Sequence, residues 1–253
     1  MKKATKRLAL VVLATGGLTP AANAGIFDRD PAPGNVYVSG FVGASFPSDV
    51  NFEGIQNPDD GSPGAVGDPA SVRSDFDNDV FFGASIGGRL PFKYLKYFQP
   101  RLEGEISYTS NDVSSGSFND GTQTFSGQQS ALFLSFNSYS DIIWKDNQRI
   151  VPYLGGSIGI ADVDTDIEYF GAAATAPVFG VFENSTNFTT VSSAGVTLRA
   201  TEKLDIYTEA RYYTIYDVDV ERRFIGGGDE IFNADLDDNI NGFTLTVGTR
   251  INF

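Results

Sequence analysis

The chain has 253 residues and contains neither cysteine nor histidine. Its formal net charge of −14 at pH 7 argues against nucleic-acid binding, because phosphate recognition needs clustered Lys and Arg. The missing cysteines exclude a disulfide framework, and the missing histidines exclude any catalytic mechanism that uses an imidazole base.

The first 24 residues have the pattern of a secretory signal peptide. The basic head MKKATKR precedes a short apolar run, LALVVLATGGL, and small residues at 22–24 offer a cleavage site. The apolar run is too short to cross a bilayer as a helix. We therefore predict cleavage after Ala24 and a single mature domain over residues 25–253.

Strict alternation of apolar and polar residues is the strongest pattern in the rest of the chain. No segment of comparable length has a helical period, and no apolar stretch is long enough for a transmembrane helix. The alternation predicts eight β-strands, over residues 36–46, 80–90, 98–110, 130–142, 151–161, 188–200, 204–216 and 240–253.

The connections between these strands are alternately long and short. Four long polar links contain 23 of the 32 acidic residues, whereas the short links PFKYLKY, WKDNQR and TEK carry basic ones. Long connections at one end and short turns at the other are typical of outer-membrane barrels. We predict an all-β, eight-stranded antiparallel up-and-down transmembrane β-barrel. Its four long extracellular loops are expected at about 47–79, 111–127, 162–186 and 217–239.

Alternation does not decide which face of a strand meets water, so two further patterns are needed. Aromatic residues on the apolar faces concentrate near both strand ends, as they do at bilayer interfaces. The polar faces carry five arginines, five acids and no lysine, which indicates charge pairs inside a closed interior. These residues form the predicted interior ion-pair network: Arg89, Arg101, Glu103, Glu105, Asp141, Arg199, Asp205, Glu209, Arg211 and Arg250.

The last strand ends on Phe253, with Ile251 and Val247 on the same face. A terminal Phe on an amphipathic last strand resembles the assembly signal of bacterial outer-membrane proteins. The segments YVSGFVGASF, RLEGEISY, VPYLGGSIGIA and TLTVGTRINF resemble strands of the eight-stranded outer-membrane β-barrel family, which includes the OmpA-like domain and the opacity-protein-like surface antigens. The resemblance covers nearly all of the mature chain. It implies location in the bacterial outer membrane, contact with its lipid and lipopolysaccharide, and recognition of Phe253 by the barrel-assembly machinery.

An eight-stranded barrel has an interior just wide enough for side chains. We therefore expect a closed polar interior and a structural or surface-antigen role, with loops available for adhesion or for another extracellular ligand. A small, weakly selective porin-like channel is the first alternative. A secreted lipocalin-like carrier is the second, because it also has eight up-and-down strands with an apolar and a polar face.

Neither enzyme activity nor a cofactor is expected. No histidine is present to activate a serine, and Glu103 and Glu105 are more simply partners for arginines than an acid–base pair. The segment DVDTDIE, at 162–168, begins like a calcium loop. Ile167 and Ala173 stand where an EF-hand needs Gly and Glu, so no metal site is predicted.

Overall fold

The computed structural model describes residues 27–28, 36–119, 121–145, 147–171 and 175–253. The predicted signal peptide lies outside these ranges and stays a prediction. No helix among the described residues is long and apolar enough to cross a membrane. The strands are β1 (Phe27–Asp28), β2 (Val36–Pro47), β3 (Val50–Gln56), β4 (Pro69–Phe76), β5 (Asp79–Arg89), β6 (Lys93–Tyr94), β7 (Phe98–Phe118), β8 (Gly121–Thr122), β9 (Thr124–Ile142), β10 (Ile150–Phe170), β11 (Phe179–Arg199), β12 (Leu204–Phe224) and β13 (Ile231–Asn252).

Eight strands close into a barrel in which all neighbours are antiparallel. β2 pairs with β5, β5 with β7 and β7 with β9, after which the strands pair in chain order to β13. β13 then returns to β2 and closes the ring. The predicted eight-stranded antiparallel up-and-down barrel is therefore confirmed. We call the end of the barrel at which β2 begins and β13 ends the lower end. There the amide of Phe253 donates to the carbonyl of Val36 at 3.0 Å.

The structure differs from the sequence-based expectation in the four long links, most of which are strand. β3 and β4 form a hairpin inside the first link, and β3 pairs with β13 while β4 pairs with β7. β7, β10, β11 and β12 each run for 21 residues. At about 3.3 Å per residue and a tilt near 40°, such strands rise roughly 50 Å, about twice the height of an apolar membrane band. The connections at the upper end are reduced to residues 57–68, 119–123, 171–178 and 225–230.

The lower half of the barrel has an apolar outer surface. Ile158 is 58% exposed and Val247 is 50% exposed, whereas the inward Glu103 is 4% exposed and Arg211 is 6% exposed. This is the orientation that the sequence predicts, and it is opposite to that of a lipocalin-like carrier. A secreted carrier is therefore the wrong alternative, because such a surface would be left without a lipid to cover it.

Aromatic side chains on the outer surface mark the upper edge of this apolar band. They form three cross-strand ring contacts with centroid distances between 5.7 and 6.3 Å: Phe46–Phe243, Phe82–Tyr108 and Phe188–Tyr216. At the lower end Trp144 and Phe253 are exposed. Two aromatic levels around an aliphatic band are typical of a barrel that spans a bilayer.

The upper half has the opposite polarity. Its interior is mostly apolar, with Phe52, Val72, Ile167 and Leu236 almost fully buried. Its outer surface carries the acids that the sequence places in long links: Glu53, Asp112, Asp164, Asp166, Asp219, Asp235 and Asp237 are exposed there.

Candidate functional site

The lumen of the lower half contains the charged side chains predicted from the sequence. Asp141, on β9, accepts from Arg89 Nε at 3.2 Å and from Arg101 Nε at 3.1 Å. Arg89 also reaches Asp205 at 2.6 Å and donates to the amide oxygen of Asn252 at 2.9 Å. One arginine thus connects strands that lie on different sides of the barrel.

A second group surrounds Arg211 on β12. Its two terminal nitrogens donate to both oxygens of Glu105, at 2.6 and 2.9 Å, in the bidentate arrangement that a guanidinium favours. Arg211 Nε also pairs with Glu209, two residues earlier on the same strand. Asn137 also donates to Glu105 Oε2, at 3.0 Å.

Glu103 links Arg101 to Arg250. Arg101 pairs with it directly, and Arg250 Nε lies 3.8 Å from the same carboxylate oxygen. Tyr37 and Ser85 donate to Glu103 as well, the latter at 2.9 Å. The carboxylate is therefore surrounded by hydrogen-bond donors, as a buried charge requires.

Arg199 is the predicted network residue that stands apart. It lies opposite Asp205 in the β11–β12 ladder and is half-buried at the lower mouth. Within the described part of the chain no carboxylate lies within 4.0 Å of its guanidinium, because Asp205 turns towards Arg89 instead. The other nine predicted residues are brought together in ion pairs.

The network is completed by tyrosines that are not among its ten predicted residues. The guanidinium of Arg101 lies 4.1 Å from the Tyr139 ring centroid, and that of Arg250 lies 3.9 Å from the Tyr207 ring centroid. These cation–π contacts give the desolvated arginines a further stabilising neighbour. Inward position on the alternating strands is the only sequence signal for them.

Each of these rings needs a glycine on the neighbouring strand. Tyr207 lies directly opposite Gly248, and a Cβ atom on that glycine would come within 2.5 Å of the tyrosine ring. Tyr139 lies opposite Gly155 in the same way, at 2.3 Å. The inward glycines thus allow large side chains to lie flat against the wall and fill the lumen.

Above the ion pairs, a layer of rings crosses the lumen. Phe41 contacts Phe81 at a centroid distance of 5.6 Å, Phe81 contacts Phe133 at 6.2 Å, and Phe133 contacts Tyr213 at 5.6 Å. A cavity of about 20 Å³ lies between this layer and the Arg211–Glu105 pair. This volume is enough for about one water molecule.

The upper mouth is covered by a group that we call the outer cap: Phe118, Asn119, Tyr169, Phe179, Arg222 and Asn233. Arg222 is 1% exposed and donates to Asn233 at 2.7 Å, and Asn233 in turn donates to the Pro63 carbonyl at 2.7 Å. The connection at residues 57–68 is thereby fastened across the mouth. Burial lowers the pKa of Arg222.

The outer wall of the upper half is acidic, and its few arginines are paired. Arg73 lies between Asp49 and Asp75, at 2.7 and 3.3 Å, and these hydrogen bonds raise its pKa. Arg223 pairs with Glu221 and with Glu230, which raises its pKa for the same reason. Most other acids on this wall have no cation beside them among the described residues. Across the described ranges, no group of three or more acidic side chains is arranged to hold a metal ion.

No protein-family model and no curated protein sequence matches the chain. Solved structures do resemble it. The outer membrane protease OmpT from Escherichia coli aligns over 90% of this chain and 98% of its own, with a TM-score of 0.51 and 11% identity. The outer membrane protein OprG from Pseudomonas aeruginosa covers 87% of this chain and 96% of its own, with a TM-score of 0.48 and 14% identity. Neisserial surface protein A covers 86% and 97%, with a TM-score of 0.40 and 14% identity.

At these identities the likeness concerns the fold. It agrees with the resemblance seen in the sequence, and the chain has the fold of an outer-membrane β-barrel. The apolar outer band, the two aromatic levels and the charged interior agree with this assignment, so the bacterial outer membrane is its location. The expected partners, among them outer-membrane lipid and lipopolysaccharide, stay proposals.

Proposed function

We propose that this outer-membrane β-barrel is a non-conducting surface protein, and that it presents the acidic wall of its upper half for adhesion or recognition outside the cell. The observation that carries the proposal is the filled lumen. Ion pairs, aromatic rings, aliphatic side chains and the outer cap follow one another from the lower end to the upper end. What remains accessible to a partner is the outer wall and the connections at its top.

The filled lumen argues against the porin-like alternative. Apart from Arg199, the interior arginines and carboxylates are each a few per cent exposed and form ion pairs with one another. A water-filled channel would instead leave its charged residues solvated. For ions to pass, several buried pairs would have to separate together, at a cost of several kcal/mol for each uncompensated charge.

Planar-bilayer recording tests the closed lumen. The purified protein is expected to show no steady openings under conditions in which a general porin, run as the positive control, conducts. The alternative predicts steady openings whose current falls when Arg211 is replaced by Gln. Such openings would overturn the proposal.

The upper wall is a rigid surface for contacts, because it consists of paired strands. Its acids favour partners with basic surfaces, and screening by salt should weaken such contacts. Enzyme activity is not part of this proposal. OmpT is a protease by name, but the present chain has no histidine that could act as a base.

Phe253 is proposed as the assembly signal of the barrel, together with Val247 and Ile251 on the same outer face. Phe253 is 76% exposed, which leaves its ring free for the barrel-assembly machinery. Deleting Phe253 is expected to lower the amount of heat-modifiable protein in the outer membrane. Replacing Ile55, which is also exposed but lies in the upper half, by Ser is the control and should leave that amount unchanged. Normal yield of the deletion variant would contradict the proposal.

A further inference from the structure

Arg222 differs from the other buried arginines of the barrel. Arg89, Arg101, Arg211 and Arg250 each have a carboxylate within 4.0 Å. Arg222 is 1% exposed, yet no carboxylate among the described residues lies within that distance. Among the described residues its hydrogen-bond partners are two neutral amide oxygens, of Asn233 at 2.7 Å and of Asn119 at 3.4 Å. A buried guanidinium without a counter-charge is costly, and its other donors are available.

Tyr169 supplies a second polar group at the same level. The residue is 2% exposed, and its hydroxyl has no hydrogen-bond partner. Burial raises the pKa of Tyr169, so the hydroxyl stays protonated and keeps a proton to donate. A buried hydroxyl without a partner is rare enough in folded proteins to need an explanation.

The two groups flank the same pair of rings. The Arg222 guanidinium carbon lies 4.4 Å from the Phe118 centroid and 5.7 Å from that of Phe179. The Tyr169 ring lies 4.9 Å from Phe118 and stacks on Phe179 at 5.5 Å with an interplanar angle of 7°. Phe118 and Phe179 are themselves only partly buried, so this group of rings reaches the surface at the upper mouth.

We infer that the outer cap is a binding site for a small aromatic carboxylate. The carboxylate would accept hydrogen bonds from Arg222 and from the Tyr169 hydroxyl, and its ring would pack against Phe118 and Phe179. A guanidinium is suited to a carboxylate because its planar fork matches both oxygens. Aromatic walls favour a flat apolar body by stacking. The proposal goes beyond the surface role above and does not depend on it, since a sealed barrel can bind a ligand at its mouth.

The probe is 4-fluorobenzoate, added to the folded full-length barrel in lipid nanodiscs and followed by the broadening of its ¹⁹F resonance. 4-Fluorobenzyl alcohol has the same ring without the charge, and it reports simple partition into lipid. We expect benzoate to displace 4-fluorobenzoate. 4-Fluorobenzyl alcohol should neither bind the outer cap nor displace 4-fluorobenzoate from it.

Arg222→Gln is expected to abolish specific binding, because it removes the counter-charge. Arg223→Gln is the matched control: it neutralises the next residue, which faces outward and is paired with Glu221, and should bind as the wild type does. Tyr169→Phe keeps the ring and removes the hydroxyl, and should weaken binding about tenfold, as expected for one hydrogen bond to a charged group. Heat-modifiable gel migration confirms that each variant is folded. If Arg222→Gln does not fold, Tyr169→Phe and Arg222→Lys carry the test, and Arg222→Lys should retain weakened binding.

Equal binding by the wild type and Arg222→Gln, or equal competition by the uncharged alcohol, would overturn the inference. Binding by the Asp120→Asn variant but not by the wild type would also overturn the inference. Asp120 follows Asn119 in the sequence and lies outside the described residues, and that result would identify it as the internal partner of Arg222.

Discussion

On β10, Ile158 and Ile160 point out of the barrel in its lower half, and Asp164 and Asp166 point out of it in the upper half. The inward side chains change in the opposite sense, from Tyr153 beside the ion pairs to the apolar Ile167. The outer face of one continuous strand therefore meets lipid in the lower half and water in the upper half. In the lower half lipid covers the apolar face and charges pair inside, whereas in the upper half water covers most of the charges and the interior is mostly apolar.

Because of this difference, an arginine–carboxylate ion pair is expected to contribute differently to stability in the two halves. Arg211, below, bridges Glu105 and Glu209, and its side chain is 7% exposed. Arg73, above, bridges Asp49 and Asp75, and its side chain is 54% exposed. Each arginine has two carboxylate partners, so Arg211 and Arg73 differ mainly in how deeply they are buried.

Replacing these two arginines by methionine provides the sharpest test of the comparison. Arg211→Met leaves two carboxylates buried without a cation and should lower the free energy of unfolding by about 3–5 kcal/mol. Arg73→Met leaves two solvated carboxylates, and no change beyond experimental scatter is expected. Urea unfolding in lipid vesicles, followed by the fluorescence of Trp144, the single tryptophan, measures both.

A rescue variant separates lost charge pairing from lost packing. Adding Glu105→Gln and Glu209→Gln to Arg211→Met removes the unpaired charges and should recover a large part of the lost stability. If the triple variant is as unstable as Arg211→Met, the loss comes from packing of the long side chain instead. Equal effects of Arg211→Met and Arg73→Met would contradict the distinction between the two halves.

The sequence predicts the lower half well because each strand there keeps one period and one polarity. Alternation predicts the eight strands, and aromatic placement together with the balance of charges predicts the outward Val247 and the nine residues that form ion pairs. Arg199 was not placed correctly in a pair, since which carboxylate an arginine reaches depends on side chains from strands that are distant in sequence.

The upper half could not be predicted in the same way, for two physical reasons. Some of the strand paths change phase: the inward face moves by one residue between Ser45 and Val50, and a bulge near Asp217 does the same on β12. Asp217 has φ = 51°, in the left-handed region that bulges use. Strict alternation ends at each such point, so the sequence predicts the end of a strand there and a loop beyond it.

The second reason is a change of polarity without a change of phase. On β9 and β10 the odd-numbered residues point inward throughout, but the outward ones change from Leu and Ile to Gln, Ser and Asp. If the outer face of a strand is expected to meet lipid along its whole length, acidic residues after an apolar segment suggest that the strand has ended in a loop. The same residues indicate a continuing strand once the outside is water.

This change of solvent gives a further test on a single strand. Leu134 and Gln128 lie six residues apart on β9, both outward and exposed, but on the lipid-facing and water-facing parts of the wall. Leu134→Lys is expected to lower the free energy of unfolding in lipid vesicles by about 2–4 kcal/mol, because it moves an ammonium into the apolar band. Gln128→Lys adds the same charge above that band and should leave stability unchanged within error. If Gln128→Lys were equally destabilising, the upper wall would face lipid. If Leu134→Lys were harmless, the apolar surface of the lower half would not be a membrane surface.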